Sequence, residues 1–161
     1  MALLKQILKD RSDIELDLYG IIPPAQEWLL EGKIQYKGSI PQENLLEVLA
    51  GYDFGLVPYS FDLSTERMMS LSFPSKLIDY LGASLPLLVV APPSLFFVKQ
   101  VESKNIGIAI TSLTSPSLAS ALDQIVKTDF GTYQNWQEHA HAWAKEEFLA
   151  DPLRLEKALA R

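Results

Sequence analysis

The sequence contains no cysteine, and this absence excludes several kinds of site at once. Without a thiol the chain can form no disulfide, no thiolate metal centre and no cysteine nucleophile. Nothing in the composition marks an oxidising compartment. We therefore expect a cytoplasmic location as the default.

Positive charge is also scarce. The 161 residues include 14 lysines and arginines against 20 aspartates and glutamates, which gives a formal net charge of −6. Binding to nucleic acid without sequence preference needs clustered Lys and Arg to neutralise phosphates, and the sequence has no such cluster. We therefore expect no nucleic acid partner.

Long apolar runs and several familiar motifs are missing too. No apolar run approaches the roughly 18 to 20 residues of a membrane span. The chain has neither a Gly-x-Ser-x-Gly elbow nor a Gly-x-Gly-x-x-Gly fingerprint, which disfavours serine hydrolases and nicotinamide dehydrogenases. His139 and His141 stand two positions apart, on different faces of a predicted helix. We therefore expect no metal site there.

The chain does contain enough apolar material for one core. Hydrophobic residues make up 48% of the 161 positions, a size and composition that suit one globular domain, so we treat residues 1–161 as a single domain. Short apolar segments alternate with amphipathic stretches. This alternation is typical of a parallel sheet with helices on both faces. The predicted fold is a three-layer, Rossmann-like α/β domain.

Hydrophobic periodicity and turn residues place the individual elements. We predict strands at 14–19, 33–37, 53–58, 87–91 and 105–110, and helices at 2–11, 23–32, 41–50, 74–83, 95–103, 116–127, 133–149 and 152–159. The side chains expected to face the core are Leu45, Leu46, Val48 and Leu49 on helix 41–50, and Phe96, Phe97 and Val101 on helix 95–103. Ser94 and Ser115 are expected to cap the helices that follow them.

The most informative stretch runs from Ser72 to Ala91. Pro74 suits the first turn of a helix, while Gly82 and Pro86 suit the helix end and the return into the strand at 87–91. The order is therefore turn, short helix and buried strand.

The start of this helix has the features of an anion site. Unpaired N–H groups and the positive end of the helix dipole favour an anion such as a diphosphate, and Ser72, Ser75 and Lys76 stand beside them. Asp79 follows one turn later on the face of Ser75 and Lys76. One helix end thus offers a phosphate site together with a carboxylate for hydroxyl groups.

The same stretch resembles the donor-binding segment of GT-B glycosyltransferases, in particular the retaining family four (group 1). In that family a helix of the type P-x-x-L-x-E-A-M-A-x-G-x-P leads into an apolar strand, and its glutamate binds the ribose hydroxyls of the sugar nucleotide. Asp79 takes the place of that glutamate, so the resemblance implies the ribose role for Asp79. A second family glutamate, eight positions earlier, corresponds here to Leu71, and its role stays unassigned.

Two further segments resemble the same family. Residues 33–40 are similar to its V-x-F-x-G-x-[VIL] segment, which implies that Ile40 meets the nucleobase. Residues 53–58 are similar to its A-D-[VF]-x-L-x-P strand, which implies that Pro58 lies beside the donor. Trp28, Tyr52 and Phe54 are expected to pack and receive no ligand role. The implied donor site comprises Ile40, Pro58, Ser72, Phe73, Pro74, Ser75, Lys76 and Asp79.

The resemblance also implies an architecture. The chain corresponds to the C-terminal half of a GT-B enzyme without its first strand, and we expect a gap between the strands at 14–19 and 53–58. Such a domain binds a UDP- or GDP-linked sugar, without metal or cofactor, for transfer of a hexose to a glycan or glycolipid acceptor. Its partner is an N-terminal acceptor domain that carries the catalytic base, so we expect no catalytic residue here and no activity of this fragment alone. Membrane-surface association of the full enzyme is compatible with this assignment.

One alternative of another class stays open at this point. A non-catalytic, Rossmann-like or flavodoxin-like interaction module explains the alternation of strands and helices equally well. It would bind no nucleotide, and it leaves the similarities at residues 53–58 and 74–91 as coincidences.

Overall fold

A computed structural model of the chain describes residues 2–23, 34–62 and 74–149. Within these ranges strands and helices alternate as predicted. The elements in chain order are α1 (Ala2–Leu8), β1 (Leu16–Tyr19), β2 (Ile34–Gly38), a 3-10 turn (Gln42–Asn44), α2 (Leu45–Leu49), β3 (Gly55–Pro58), α3 (Ser75–Gly82), β4 (Leu87–Val90), α4 (Phe96–Lys104), β5 (Gly107–Ile110), α5 (Ser115–Lys127), α6 (Phe130–Ala144) and a π-helical turn (Lys145–Leu149). Apart from residue 23, the helices predicted at 23–32 and 152–159 lie outside the described residues.

The described strands form two parallel sheets. β1 pairs with β2, with Leu16 opposite Ile34. β3, β4 and β5 form the second sheet in that order, with Val57 opposite Val89 and Val89 opposite Ala109. Within the described residues β1 and β3 share no strand pairing. The described strands therefore leave β1 and β3 in separate sheets.

Strand β4 lies at the centre of the larger sheet and is buried on both faces. Leu87 and Val89 point into one core, and Leu88 and Val90 point into the other, as the two-residue period of a strand requires. Helices α3, α4 and α6 supply the first core with Leu77, Leu81, Phe97, Val98, Val101 and Trp143. Helices α1 and α5 supply the second core with Leu4, Leu8, Leu118 and Leu122. The three-layer α/β prediction is confirmed.

The helix predicted at 41–50 is shorter and more exposed than expected. A 3-10 turn precedes a single turn of α-helix, Leu45–Leu49. Leu49 is buried, but Leu46 is 53% exposed, so its predicted core position was wrong. A one-turn helix covers only a narrow stripe of the core, and successive residues rotate by about 100° around its axis.

The predicted start of helix α4 also needs correction. The helix begins after Leu95, with no side-chain cap, so Ser94 does not hold the capping position. Leu95 is fully buried, whereas Phe96 is 62% exposed. The core residue at this helix start is therefore Leu95 and not Phe96. The Leu95 side chain points into the core, and the Phe96 side chain points to solvent.

Side-chain caps explain where the last two helices begin. The cap of α5 is Thr114, whose Oγ1 accepts a hydrogen bond of 3.3 Å from the Ser117 N–H, so the prediction of Ser115 was wrong by one position. Helix α6 begins at Phe130, earlier than the predicted 133, because the Asp129 carboxylate accepts a hydrogen bond of 3.0 Å from the Thr132 N–H. Both caps satisfy otherwise open N–H groups.

The described part of the chain holds no helix that is long and apolar enough to cross a membrane. It also holds no group of three His, Asp or Glu side chains close enough to share a metal ion. His139 Nδ1 lies 3.1 Å from the Asn105 carbonyl oxygen, and His141 Nδ1 lies 3.2 Å from Ser84 Oγ. The two histidines therefore contact separate turns of the fold.

Candidate functional site

A cleft of about 270 Å³ is lined along the length of β1 and reaches the carboxyl ends of β1, β2 and β3. Tyr19 is the last residue of β1, Pro58 is the last residue of β3, and Ile40 follows the end of β2. Helix α3 forms the opposite wall with Lys76 and Asp79. In open α/β sheets ligands bind beyond the carboxyl ends of the strands, which makes this cleft the candidate site.

The cleft unites half of the predicted donor-binding residues. Ile40, Pro58, Lys76 and Asp79 all line it, although they come from distant parts of the sequence. Pro74 and Ser75 lie at the start of α3 and do not line the cleft. Ser72 and Phe73 lie outside the described residues.

The first turn of α3 is open to an anion. Pro74 occupies the N-cap position with an extended backbone, ψ 112°, one position before the predicted first turn, and no side-chain cap bonds this helix end. The Leu77 N–H donates to the Pro74 carbonyl oxygen at 3.0 Å, so among the described residues it is the Ser75 and Lys76 N–H groups that are left for solvent or a ligand. Lys76 is exposed in this turn, where it adds a positive charge to the positive end of the helix dipole.

Asp79 lies one turn deeper on α3 and is half-buried. Burial raises the pKa of its carboxyl group, and the nearby Lys76 ammonium acts in the opposite direction. The neighbouring Tyr80 ring packs against Gly55, where an added Cβ would lie 2.5 Å from the ring. Gly55 therefore allows the close contact that seats α3 against β3 beside the cleft.

A polar cluster forms another part of the cleft wall. The Tyr52 hydroxyl donates a hydrogen bond of 2.7 Å to Asp17 Oδ2, and Tyr19 Oη lies 2.7 Å from Tyr52 Oη. Lys37 Nζ lies 3.6 Å from the same Asp17 oxygen. Burial, followed by the Asp17 bond, raises the pKa of Tyr52, so its hydroxyl remains protonated at neutral pH. The second oxygen, Asp17 Oδ1, is buried and has no hydrogen-bond partner among the described residues.

Residues 4–150 match the model of the glucosyltransferase 3-like family, C-terminal domain. The chain belongs to this family. No curated protein matches the sequence significantly. The predicted glycosyltransferase C-terminal domain is therefore confirmed at the level of a glucosyltransferase-like domain.

The Asp17–Tyr52 pair of this glucosyltransferase 3-like domain was not predicted from the sequence. Tyr52 was expected only to pack, and Asp17 fell on the polar positions of an alternating strand, a pattern typical of a solvated face. In the structure the Asp17 side chain is only 13% exposed. The two residues are 35 positions apart, so no local pattern could have paired them.

The domain has a second, larger cavity of about 930 Å³, which we call the groove. The groove lies between α1, α5 and the beginnings of β3 and α6. The residues that line both the groove and the cleft are Glu15, Leu16, Asp17, Tyr52, Phe54 and Leu56. The two cavities therefore meet at the gap between β1 and β3, and the Asp17–Tyr52 pair stands between them.

Proposed function

We propose that this domain binds the nucleotide-sugar donor of a GT-B glycosyltransferase similar to the retaining family four. The enzyme would transfer a hexose from a UDP- or GDP-linked donor to a glycan or glycolipid acceptor. The observation that carries the proposal is the presence of Lys76 and Asp79 in one cleft at the carboxyl ends of the strands. Membership in a glucosyltransferase-like family supports glycosyl transfer as the reaction.

The residues of the cleft have distinct roles in this proposal. The open first turn of α3 and Lys76 bind the diphosphate and stabilise the negative charge that develops as it departs. The Asp79 carboxylate accepts hydrogen bonds from the ribose hydroxyls. Ile40 contacts the nucleobase, and Pro58 bounds the site at the end of β3.

Ser75 and Pro74 contribute through the backbone at the start of α3 in the same proposal, and Ser72 and Phe73 complete the donor site on the connection before it. Residues 1–161 act as one nucleotide-sugar-binding domain. An N-terminal acceptor domain supplies the catalytic base, so the isolated domain binds nucleotide and transfers no sugar. In this proposal the full enzyme works in the cytoplasm, and a glycolipid acceptor would bring it to a membrane surface.

Calorimetric titration with UDP, GDP and ADP tests the donor site. We expect one nucleotide to bind, and we expect Asp79→Ala and Lys76→Ala each to weaken its binding at least about tenfold, or roughly 1.4 kcal/mol. Lys99→Ala and Glu102→Ala serve as matched controls. Both residues are exposed on α4 and neither lines the cleft.

Two results would contradict the proposal. Binding that survives both cleft substitutions would place the nucleotide elsewhere on the domain. A failure of all three nucleotides to bind would favour the alternative of a non-catalytic interaction module. Transfer of a labelled sugar by the purified 161-residue chain would overturn the claim that the acceptor domain is required.

A further inference from the structure

Two polar side chains of β1 belong to the same wall of the cleft. Asp17 and Tyr19 stand two positions apart in this strand, so their side chains lie on one face of it. Both residues line the cleft, as does Tyr52, which precedes β3. The roles proposed above for the donor-binding residues use none of these three. We call Tyr19, Tyr52 and Asp17 together the hydrogen-bond relay.

The hydrogen bonds of the relay run in one direction. A carboxylate has no proton to donate, so the Tyr52 hydroxyl donates its only proton to Asp17 Oδ2, at 2.7 Å. In the second contact, also 2.7 Å long, Tyr52 can then only accept, and Tyr19 donates. The proton of Tyr19 is thereby used. Toward a ligand, Tyr19 Oη is left as an acceptor only.

Neighbouring groups hold the relay in place. The Tyr19 and Tyr52 rings pack edge to face, with centroids 6.1 Å apart and ring planes at 86°. Lys37 Nζ lies 3.6 Å from Asp17 Oδ2 and balances its charge. Tyr19 can offer its proton to a ligand only by breaking its contact with Tyr52. Its oxygen therefore discriminates between donors and acceptors on a ligand.

The Tyr19 end of the relay lies next to the position proposed for the nucleobase. The Gly20 N–H donates to the Gly38 carbonyl oxygen at 2.8 Å, which ties the end of β1 to the segment that leads to Ile40. Tyr19 and Ile40 both line the cleft, opposite α3. A nucleotide whose phosphates and ribose lie at α3 therefore directs its base toward Tyr19.

We propose that Tyr19 Oη accepts a hydrogen bond from a ring N–H of the donor's nucleobase, and that Tyr52 and Asp17 act as positioning residues that keep this oxygen an acceptor. The proposal rests on the proposed nucleotide site and narrows it to bases with a ring N–H. Uracil carries this group at N3 and guanine at N1. Adenine has only acceptor nitrogens in its six-membered ring, so ADP sets an acceptor against an acceptor. The relay thus selects UDP- or GDP-linked donors over ADP-linked ones.

Calorimetric titration of the 161-residue chain with methylated nucleotides tests the acceptor. Methylation of UDP at N3 or of GDP at N1 removes the ring N–H and leaves the phosphates and ribose unchanged. We expect the parent to bind the unmethylated nucleotide at least about tenfold more tightly than its methylated analogue and than ADP. Because Tyr19→Phe removes the acceptor, it should weaken binding of the unmethylated nucleotide at least about fivefold and reduce the methylation effect to less than about threefold.

Two further variants separate this contact from a structural effect. Tyr36→Phe is the matched control, because the Tyr36 hydroxyl donates to the carbonyl oxygen of Gly20, directly after Tyr19, and Tyr36 does not line the cleft. We expect it to keep the nucleotide affinity of the parent. Tyr52→Phe leaves Tyr19 free to donate its proton to a ligand, so we expect it to bind ADP at least about threefold more tightly than the parent does. A loss of structure would lower ADP affinity and could not raise it.

Several results would overturn the inference. Equal affinity of the parent for methylated and unmethylated nucleotides would show that no ring N–H is bound. Equal loss in Tyr19→Phe and Tyr36→Phe would reduce Tyr19 to a structural role at the end of β1. Unchanged ADP affinity in Tyr52→Phe would exclude the directing role of the relay. Binding that depends on Lys76 and Asp79 but not on Tyr19 would overturn this inference alone, whereas no binding by any nucleotide would overturn it together with the proposed function.

Discussion

The Tyr52 hydroxyl donates a hydrogen bond of 2.7 Å to Asp17 Oδ2 and so joins β1 to the segment before β3. Among the described residues no ladder of backbone hydrogen bonds connects β1 with β3. A second side-chain bond lies nearby, since the Tyr133 hydroxyl donates to the Asp53 carbonyl oxygen at 3.0 Å. The Tyr133 bond fixes this segment to α6, while the Asp17–Tyr52 bond and apolar packing link the two sheets that strand pairing leaves divided among the described residues.

Loss of the Tyr52 hydroxyl should therefore destabilise the fold. Tyr52→Phe removes the hydroxyl that donates to Asp17 Oδ2 and leaves Lys37, 3.6 Å away, as the cation beside this largely buried carboxylate; the lost hydrogen bond costs about 1 to 3 kcal/mol. Tyr36→Phe is the matched control, because the Tyr36 hydroxyl donates to the Gly20 carbonyl oxygen at an exposed site. Urea unfolding measures both variants. Equal losses of unfolding free energy in the two variants would show that the Tyr52–Asp17 hydrogen bond stabilises the fold no more than the exposed Tyr36 bond does.

The gap predicts uneven hydrogen exchange along β3. The Leu56 N–H faces the gap, whereas the Val89 N–H lies in the central strand β4. We expect the Leu56 amide to exchange at least about tenfold faster than the Val89 amide in native-state exchange followed by NMR. Comparable protection of the two amides in a monomer would contradict an unpaired edge.

The contribution of Asp79 to the free energy of unfolding should decrease as pH rises through the acid range. Burial raises the pKa of its carboxyl group above the ordinary value of 3.8, so the folded state holds this proton more tightly than the unfolded state does. The favourable contribution is complete below the unfolded pKa and is lost as pH rises through the folded pKa. Relative to the parent, Asp79→Asn should therefore gain stability between acid and neutral pH. Parallel pH profiles of unfolding free energy would contradict this expectation.

Alanine substitutions at two glycines compare the cost of a steric clash with the cost of backbone strain alone. Gly107 has φ 144°, and an added Cβ would lie 2.1 Å from the Leu87 carbonyl oxygen. Gly20 has φ 116°, but an added Cβ there would meet no atom of the described residues within 4 Å. We expect Gly20→Ala to cost about 1 to 3 kcal/mol and Gly107→Ala to cost more than about 4 kcal/mol. Thermal unfolding distinguishes them, and equal costs would argue against the close approach of β4 and β5.

Local periodicity was sufficient to predict the main architecture. The run Leu87–Val90 is apolar at every position because both of its faces are buried, and this pattern identified the central strand. Pro74 and Gly82 marked the ends of α3 to within one residue. Lys76 and Asp79 could be placed on one helix face from their spacing, and the structure brings both to the cleft.

Features that depend on tertiary packing were not predictable in the same way. Leu46 and Phe96 are apolar but exposed, because short helices turn only part of their surface toward the core. The Asp17–Tyr52 bond joins residues 35 positions apart, and neither residue belongs to a local motif. Hydrophobic pattern reports which segments form a core, and it carries no information on which polar groups meet across a gap.

The most direct test of the donor-site account is an NMR titration of the domain with UDP, GDP and ADP, followed through backbone amide shifts. The account predicts that one nucleotide shifts the amides of Ser75, Lys76 and Asp79 together with that of Ile40, and that Asp79→Ala reduces the response. Shifts confined to residues outside the cleft, or no shifts with any of the three nucleotides, would contradict it.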